Sequence, residues 1–127
     1  MPQNESNIEL TAMLTTESIK EMALSFPEAI EQDHFGRPSF RVRKKIFATL
    51  WPMEKILVLK LNEIEQSVFS DIDRTAVYPV DGGWGKQGFT KFEYTRLNKS
   101  IIKDALTHSY CNVAPKPLSD KYLNPDI

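Results

Sequence analysis

The stretch Val77–Thr90, VYPVDGGWGKQGFT, contains four of the five glycines of the chain and joins two segments of strand-like composition. Gly83, Gly85 and Gly88 match the pattern G-x-G-x-x-G, which in dinucleotide-binding proteins leads into a helix whose N-terminus holds a phosphate. Here the residues after Gly88 alternate with period two, which is typical of a strand. The stretch therefore predicts a glycine loop between two strands, with Trp84 at its tip, and argues against a dinucleotide fold.

Six segments have the alternation or the composition of strands. The predicted strands are Ile30–Phe35, Ser39–Arg43, Ile46–Trp51, Lys55–Leu61, Ala76–Val80 and Phe89–Arg96. In the second strand, Arg41 and Arg43 alternate with apolar residues, so both arginines are expected on one face. Only Lys44 and Lys45 separate this strand from the third, although a two-residue hairpin prefers glycine or asparagine.

Apolar residues three and four positions apart predict three helices. Thr16 is a candidate N-cap for a helix that ends near Phe26, and a short helix is predicted at Glu63–Phe69. Asn98 is expected to cap a last helix that ends near Val113. This order predicts an α+β two-layer sandwich, in which an antiparallel sheet of five or six strands carries the N- and C-terminal helices on one face.

The chain has 127 residues, which suffice for one domain with a modest core. We expect a single domain at residues 16–118, a partly loose segment at 1–15 and a tail at 119–127. No apolar run approaches the ~20 residues of a membrane span. The single cysteine, Cys111, permits no internal disulfide. We therefore expect a cytoplasmic protein with no membrane partner.

Charge is segregated along the chain although the net charge is only −1. Residues 1–36 hold one lysine and seven acidic residues, whereas residues 37–60 hold seven basic residues and one acid. Residues 82–103 are again basic, with five basic residues and one acid. This pattern fits either a basic face that attracts a polyanion or a solvated dipolar surface.

The sequence nominates no catalytic residue, cofactor or metal site. His108 and Cys111 lie three apart on the last predicted helix, but two ligands do not make a zinc site, and a packed cysteine is the simpler explanation. Glu28, Glu31 and Asp33 could attract a hard cation, but their spacing matches no defined metal loop. No nucleophile elbow or P-loop lysine is present. We therefore expect a protein that is not an enzyme.

The basic hairpins carry the clearest functional signal. A projecting basic ribbon can place cations on phosphates, and an aromatic residue at a tip can stack on a base. Alternatively, Trp84 folds back to close the edge of the sheet. The candidate nucleic-acid-binding residues are Arg37, Arg41, Arg43, Lys44, Lys45, Trp84, Lys86 and Lys91.

Three stretches together resemble the MmcQ/YjbR family of small bacterial proteins. They are His34–Trp51 (HFGRPSFRVRKKIFATLW), Ala76–Thr90 (AVYPVDGGWGKQGFT) and Ala105–Lys116 (ALTHSYCNVAPK). The resemblance implies a frataxin-like (CyaY-like) α+β sandwich and a double-wing arrangement of hairpins that binds DNA. The wings would then be the hairpin around Lys44 and Lys45 and the loop around Trp84 and Lys86.

Two functions of different classes follow. In the first, the protein is a non-enzymatic, weak DNA-binding module for double-stranded DNA. In the second, it binds a peptide or a small anionic ligand in a groove between His34 and Trp84, with no nucleic-acid role. A frataxin-like metal role for Glu28, Glu31 and Asp33 is a third possibility. Salt separates the first two, since only DNA binding releases many counterions.

Overall fold

The fold is a six-stranded antiparallel sheet with its long helices on one face. A computed structural model describes residues 14–123. The strands are β1 (Ile30–His34), β2 (Arg37–Val42), β3 (Lys45–Trp51), β4 (Ile56–Lys60), β5 (Val77–Pro79) and β6 (Phe89–Glu93). Their order in the sheet is β1-β2-β3-β4-β6-β5, with every pair antiparallel. The predicted α+β sandwich is confirmed.

Within residues 14–123, five helices accompany the sheet. They are α1 (Thr16–Leu24), α2 (Glu63–Ile72), α3 (Gly83–Lys86), α4 (Lys99–Val113) and α5 (Lys116–Leu123). Asn98 caps α4 as predicted, because its Oδ1 accepts the N–H of Ile101 at 2.9 Å. The cap of α1 is Thr15 and not Thr16, because Thr15 and Ser18 form a reciprocal capping box.

Several boundaries differ from the prediction. Strand β6 ends at Glu93 and continues as a 3-10 turn, and α2 runs on to Ile72. Helix α5 was not predicted, because Pro115 and Pro117 were expected only to end α4. Pro117 lies in the first turn of α5, where a backbone N–H would have no partner within the helix, so proline is tolerated there. The expected loose segment at 1–15 lies outside the described residues, apart from its last two positions.

The core lies between the sheet and the helices. Phe40, Leu50, Leu57 and Phe92 project from the central strands into it and are fully buried. The face of the sheet that carries them is the helix face; the other is called the open face below. On the helix face Tyr110 stacks on Phe26, with ring centroids 4.7 Å apart.

A β-bulge in β3 distorts the centre of the sheet. Phe40 pairs with Ala48 but Arg41 pairs with Ile46, so Phe47 is an extra residue on β3. The Phe47 ring packs edge-on against Tyr110 on the helix face, whereas Ile46 turns to the open face. The buried Ser109 of α4 bridges β3 and β4 beside this bulge. Its hydroxyl donates to the Phe47 carbonyl at 2.5 Å and accepts the Lys60 N–H at 2.8 Å.

Replacing Ser109 with alanine should destabilise the protein by roughly 1–3 kcal/mol, because a buried carbonyl and a buried N–H both lose their partner. Urea unfolding would measure the change. Ser67→Ala, at an exposed position of α2, is the control and should stay within about 0.5 kcal/mol of the parent. Equal stability of the two variants would contradict the bridging role of Ser109.

The glycine stretch contains one helical turn, α3, which the sequence did not predict. Gly85 allows this turn to lie against the preceding chain, since a Cβ there would come within 1.9 Å of the Val80 carbonyl oxygen. Gly88 has a φ of +105°, and its Cβ would lie 1.8 Å from the Leu61 carbonyl oxygen. The Leu61 N–H in turn donates to the Gly88 carbonyl at 3.0 Å. The glycines therefore hold the loop between β5 and β6 close to the end of β4.

Gly88→Ala should cost roughly 3 kcal/mol or more, because it combines an unfavourable φ with a clash against backbone. Gly83→Ala is the matched control: a Cβ there meets no atom within 4 Å, and the backbone is helical. We expect Gly83→Ala to leave the melting temperature unchanged or to raise it slightly. If the Gly88→Ala variant has the same melting temperature as the Gly83→Ala control, the loop can adapt to a side chain at position 88.

Candidate functional site

The registers of the strands place a row of residues, polar or charged except for one valine, across the open face. The row consists of Ser39, Thr49, Val58, Lys91 and Tyr78, taken from β2, β3, β4, β6 and β5 in that order. None of the long helices described here packs on this face. Thr49, Lys91 and Tyr78 are partly exposed and available to a ligand, whereas Ser39 and Val58 are buried within the sheet.

Cations and aromatic rings alternate along this face. The Arg37 guanidinium lies 3.8 Å from the centroid of the Trp51 ring, and the Lys91 ammonium lies 4.9 Å from the same ring. Lys91 also lies 6.0 Å from the Tyr78 ring. Cation–π attraction holds both charges over the sheet without neutralising them. Arg37 has an additional partner in Glu54, at 3.2 Å.

The Tyr78 hydroxyl is hydrogen-bonded to the carboxylate of Glu93, which follows Lys91 by two residues on β6. It donates to Glu93 at 2.5 Å, which raises the pKa of Tyr78 to about 12. The same hydrogen bond, helped by Arg96, lowers the pKa of Glu93 below its ordinary value of 4.5. Glu93 is thus a fixed and compensated carboxylate at the edge of the site.

A groove of about 440 Å³ crosses the open face. Its floor consists of Ile46, Thr49 and Val58, and Trp51 forms part of one wall. One end is formed by the turn between β1 and β2, with His34, Phe35 and Arg37. The other end is formed by Val80, Trp84 and Phe89 around the glycine loop. The two candidate ligand-groove residues, His34 and Trp84, both line this groove.

Trp84 stands at the rim of the groove. Its side chain is 62% exposed and makes an edge-to-face contact with Phe89, with ring centroids 5.5 Å apart. The backbone beneath it is fixed, because the Gln66 side-chain amide donates to the Gly85 carbonyl at 2.9 Å. Trp84 is therefore an exposed rim residue on a rigid support and does not fold back under the edge of the sheet.

Phe35 marks the opposite end of the groove and was not among the predicted site residues. It is 94% exposed and has a φ of +54°, which is rare for a large side chain. Its ring contacts His34 edge-on, with centroids 4.8 Å apart. An aromatic residue at the tip of a two-residue turn was the sequence signal that could have identified it.

Arg41 lies on the open face beside the groove. Its guanidinium donates to the Ser39 hydroxyl at 3.1 Å and lies 3.4 Å from Nδ1 of His34. Since arginine is only a donor, this contact requires Nδ1 of His34 to be the acceptor. Lys44, Lys45 and Lys86 are exposed. No described carboxylate forms an ion pair with these four cations or with Lys91.

The prediction that Arg43 shares a face with Arg41 is wrong. Strand β2 ends at Val42, and the hairpin turn is Arg43–Lys44, where both residues have positive φ as a type I′ turn requires. Arg43 turns toward Glu28 and forms a bidentate ion pair with it, at 2.5 and 3.0 Å. This hydrogen bonding lowers the pKa of Glu28. The charge of Arg43 is therefore compensated within the protein.

The other titratable candidates have local partners. His108 Nδ1 lies 2.8 Å from Glu65, and burial raises the pKa of the Cys111 thiol, which favours its packed, protonated form. Glu31 pairs with Lys20 at 3.4 Å, and Asp33 accepts the Gly36 N–H. In residues 14–123 no group of three or more histidine, cysteine or acidic side chains is arranged to hold a metal ion.

A second groove, of about 620 Å³, lies between α1, α4 and α5 on the other side of the molecule. It is larger than the open-face groove, but Glu21 shares its rim with Lys99 and Lys103. Its charges are mixed, whereas cations predominate around the open-face groove.

No described helix is long and apolar enough to cross a membrane.

Comparison with known proteins identifies the class to which this sandwich belongs. The YjbR family model matches residues 24–112, and the chain therefore belongs to the YjbR family. The fold is similar to that of Deinococcus radiodurans protein DR2400, a crystal structure described by the domain DUF419. The TM-score is 0.70 at 17% identity, over 83% of this chain and 82% of that chain. Among curated proteins, none matches this chain significantly.

Tyr78→Phe should raise the pKa of Glu93 toward 4.5, because the carboxylate loses its shortest hydrogen bond. A lowered native pKa stabilises the fold above pH 4.5, and this contribution is lost as the pH falls through the native pKa. The stability gap between parent and variant should therefore be largest near neutral pH and shrink in acid. Carboxyl NMR titration and urea unfolding would measure both effects, with Tyr122→Phe as control.

Proposed function

We propose that this YjbR protein is a non-enzymatic DNA-binding module whose contact surface is the open face together with the turn between β2 and β3. The observation that carries the proposal is a group of five cations on or beside this surface that form no ion pair with a described carboxylate. They are Arg41, Lys44, Lys45, Lys86 and Lys91. Each can contact a phosphate without first breaking an ion pair.

The charges around this surface support a polyanionic ligand. Two of the nearby acids have partners: Glu54 pairs with Arg37, and Glu93 binds Tyr78 and Arg96. Asp81, at the start of the glycine loop, is exposed and forms no ion pair with a described cation. Cations still dominate the field that an approaching ligand experiences on the open face, although the net charge of the chain is −1. Phosphate contacts of this kind supply affinity but no sequence preference.

The two expected wings are compatible with this proposal. Lys60 pairs with Phe89 at the end of β4, where β3 also begins. The Arg43–Lys44 turn and the glycine loop with Trp84 and Lys86 therefore project from the same end of the sheet. Two basic tips at one end can contact phosphates together, as the double-wing resemblance implies.

The groove supports a second candidate function, which is binding of a small anionic ligand or peptide. Its volume of about 440 Å³ lies within the range of small-molecule sites, and its apolar floor resembles theirs. Such a ligand would contact Arg37 and Lys91 and would bind with little dependence on salt. DNA binding would instead weaken steeply as salt rises, since each phosphate contact releases condensed counterions.

A triple variant, in which alanine replaces Arg41, Lys44 and Lys45, should bind duplex DNA more weakly than the parent. The loss should be similar for duplexes of different sequence. The slope of log affinity against log salt should fall by roughly one for each lost phosphate contact. Fluorescence anisotropy at two or more salt concentrations would measure both. Lys99, Lys103 and Lys116, exposed on α4 and α5, provide a control triple variant with the same loss of charge.

The control variant should keep most of the affinity. Equal losses in the two variants would indicate a generic charge effect and would remove the open face from the proposal. Absence of salt-dependent binding to DNA in any form would refute the DNA-binding function and favour the small-ligand function.

A further inference from the structure

The two most exposed aromatic side chains of the groove stand at its opposite ends. We infer that the groove holds single-stranded nucleic acid, with one base on Phe35, another on Trp84, and the phosphates between them on Arg41 and Lys91. This inference rests on the proposed DNA-binding function and specifies the form of nucleic acid that the open face takes.

Phe35 has no packing role that explains its position. It is 94% exposed at the tip of the turn between β1 and β2, and its positive φ makes the backbone unfavourable for a large residue. Its only described aromatic neighbour is His34, which contacts it edge-on and limits the orientation of the ring. An exposed, oriented ring of this kind is suited to stacking on a planar partner.

Trp84 presents the equivalent feature at the other end. The glycine loop supports it on a fixed backbone, and Phe89 touches it edge-to-face while 62% of the side chain stays exposed. Both rings line the same groove. The two residues therefore form two separate platforms over one apolar floor.

The apolar floor favours unpaired bases over a duplex. In double-stranded DNA the flat faces of the bases are stacked inside, and only phosphates and base edges face a protein. Ile46, Val58 and Phe89 offer neither charge nor side-chain hydrogen bonds to such groups. A single strand instead presents the π-face of each base, which packs on apolar and aromatic side chains irrespective of sequence.

The length of the groove fits a short single-stranded segment. From Trp51 to Ile46, β3 advances five residues, or roughly 17 Å at 3.3 Å per residue. A stacked strand rises about 3.4 Å per nucleotide along the axis of duplex DNA, and a more extended strand rises further, so this distance accommodates at most about five nucleotides. Arg41 lies near His34 at one end of the groove, and Lys91 is held over the ring of Trp51, which lines the groove. Cations are thus available along the path between the two platforms.

Fluorescence anisotropy with labelled oligothymidine of about 12 nucleotides, and with a duplex of equal length, tests the inference. We expect the single strand to bind at least about tenfold more tightly than the duplex at the same salt concentration. An oligouridine of the same length distinguishes DNA from RNA as the source of the strand, and tight binding of either supports the inference.

Phe35→Ala and Trp84→Ala should each weaken single-strand binding by roughly 5- to 100-fold, the range for the loss of one stacked base, and leave duplex binding nearly unchanged. Trp84→Phe should retain most of the affinity, because it keeps a stacking ring. Ile64→Ala is the control: Ile64 is an exposed apolar residue on α2, outside the groove, and its replacement should change neither affinity.

If Trp84→Ala lowers the melting temperature substantially, Phe35→Ala still decides the matter, since Phe35 is almost fully exposed. Duplex binding as tight as single-strand binding, or aromatic variants with unchanged affinity, would overturn the inference and leave the proposed DNA-binding function in place. Absence of binding to both forms would refute the proposed function itself.

Discussion

The hydroxyl of Ser109 is the contact on which the geometry of the sheet depends. The bulge at Phe47 lies in the ladder between β2 and β3, and the regular pairing of β3 with β4 begins only at Ala48 and Leu59. Backbone groups beyond that pairing need other partners where they are buried. Ser109 satisfies one carbonyl of β3 and one N–H of β4 from the adjoining helix. Because a single buried side chain serves both strands, the position of α4 and the irregularity of the sheet are coupled.

The bulge also determines what each face of the sheet carries. Without the extra residue, the alternation of β3 could not place both Phe47 and Ala48 on the buried side, as it does here. With it, Phe47 joins the aromatic cluster under the helices and Ile46 turns to the floor of the open-face groove. The bulge therefore shapes both the core and the candidate site. We expect a change at Ser109 to alter the shape of the groove, because Ser109 is bonded to β3.

The fold was predictable because its signals are local and periodic. Alternation of apolar residues marked the strands, the apolar stripe of α4 required a sheet face to bury it, and Asn98 capped that helix as expected. The bulge was not predictable from sequence, because it is a property of the pairing between β2 and β3, and the extra residue Phe47 has no local signature within β3. The position of the Arg43–Lys44 turn was missed for a different reason. Neither arginine nor lysine is typical of positive φ, so the sequence held no local signal for the register of this hairpin.

The candidate site was predictable in composition but not in arrangement. The cluster of basic residues is evident in the sequence, and His34 and Trp84 do reach one groove. The sequence could not show that Arg43 is compensated by Glu28 while Arg41 is not, since the difference arises from the tertiary position of a carboxylate. An aromatic residue in a short turn was a weak signal for Phe35, because its significance depends on its exposure and on its place at the end of a groove.

The way in which the cations are held bears on how a ligand could use them. An ion pair orients a cation but also neutralises it, so an anionic ligand must displace the carboxylate or accept a weakened field. An aromatic ring orients a cation through its quadrupole and leaves the charge intact. Lys91 is oriented over Trp51 in this second way, whereas Arg43 is bound by Glu28 in the first. The open face therefore keeps positioned charge available to a phosphate, while the side of the hairpin that faces Glu28 does not.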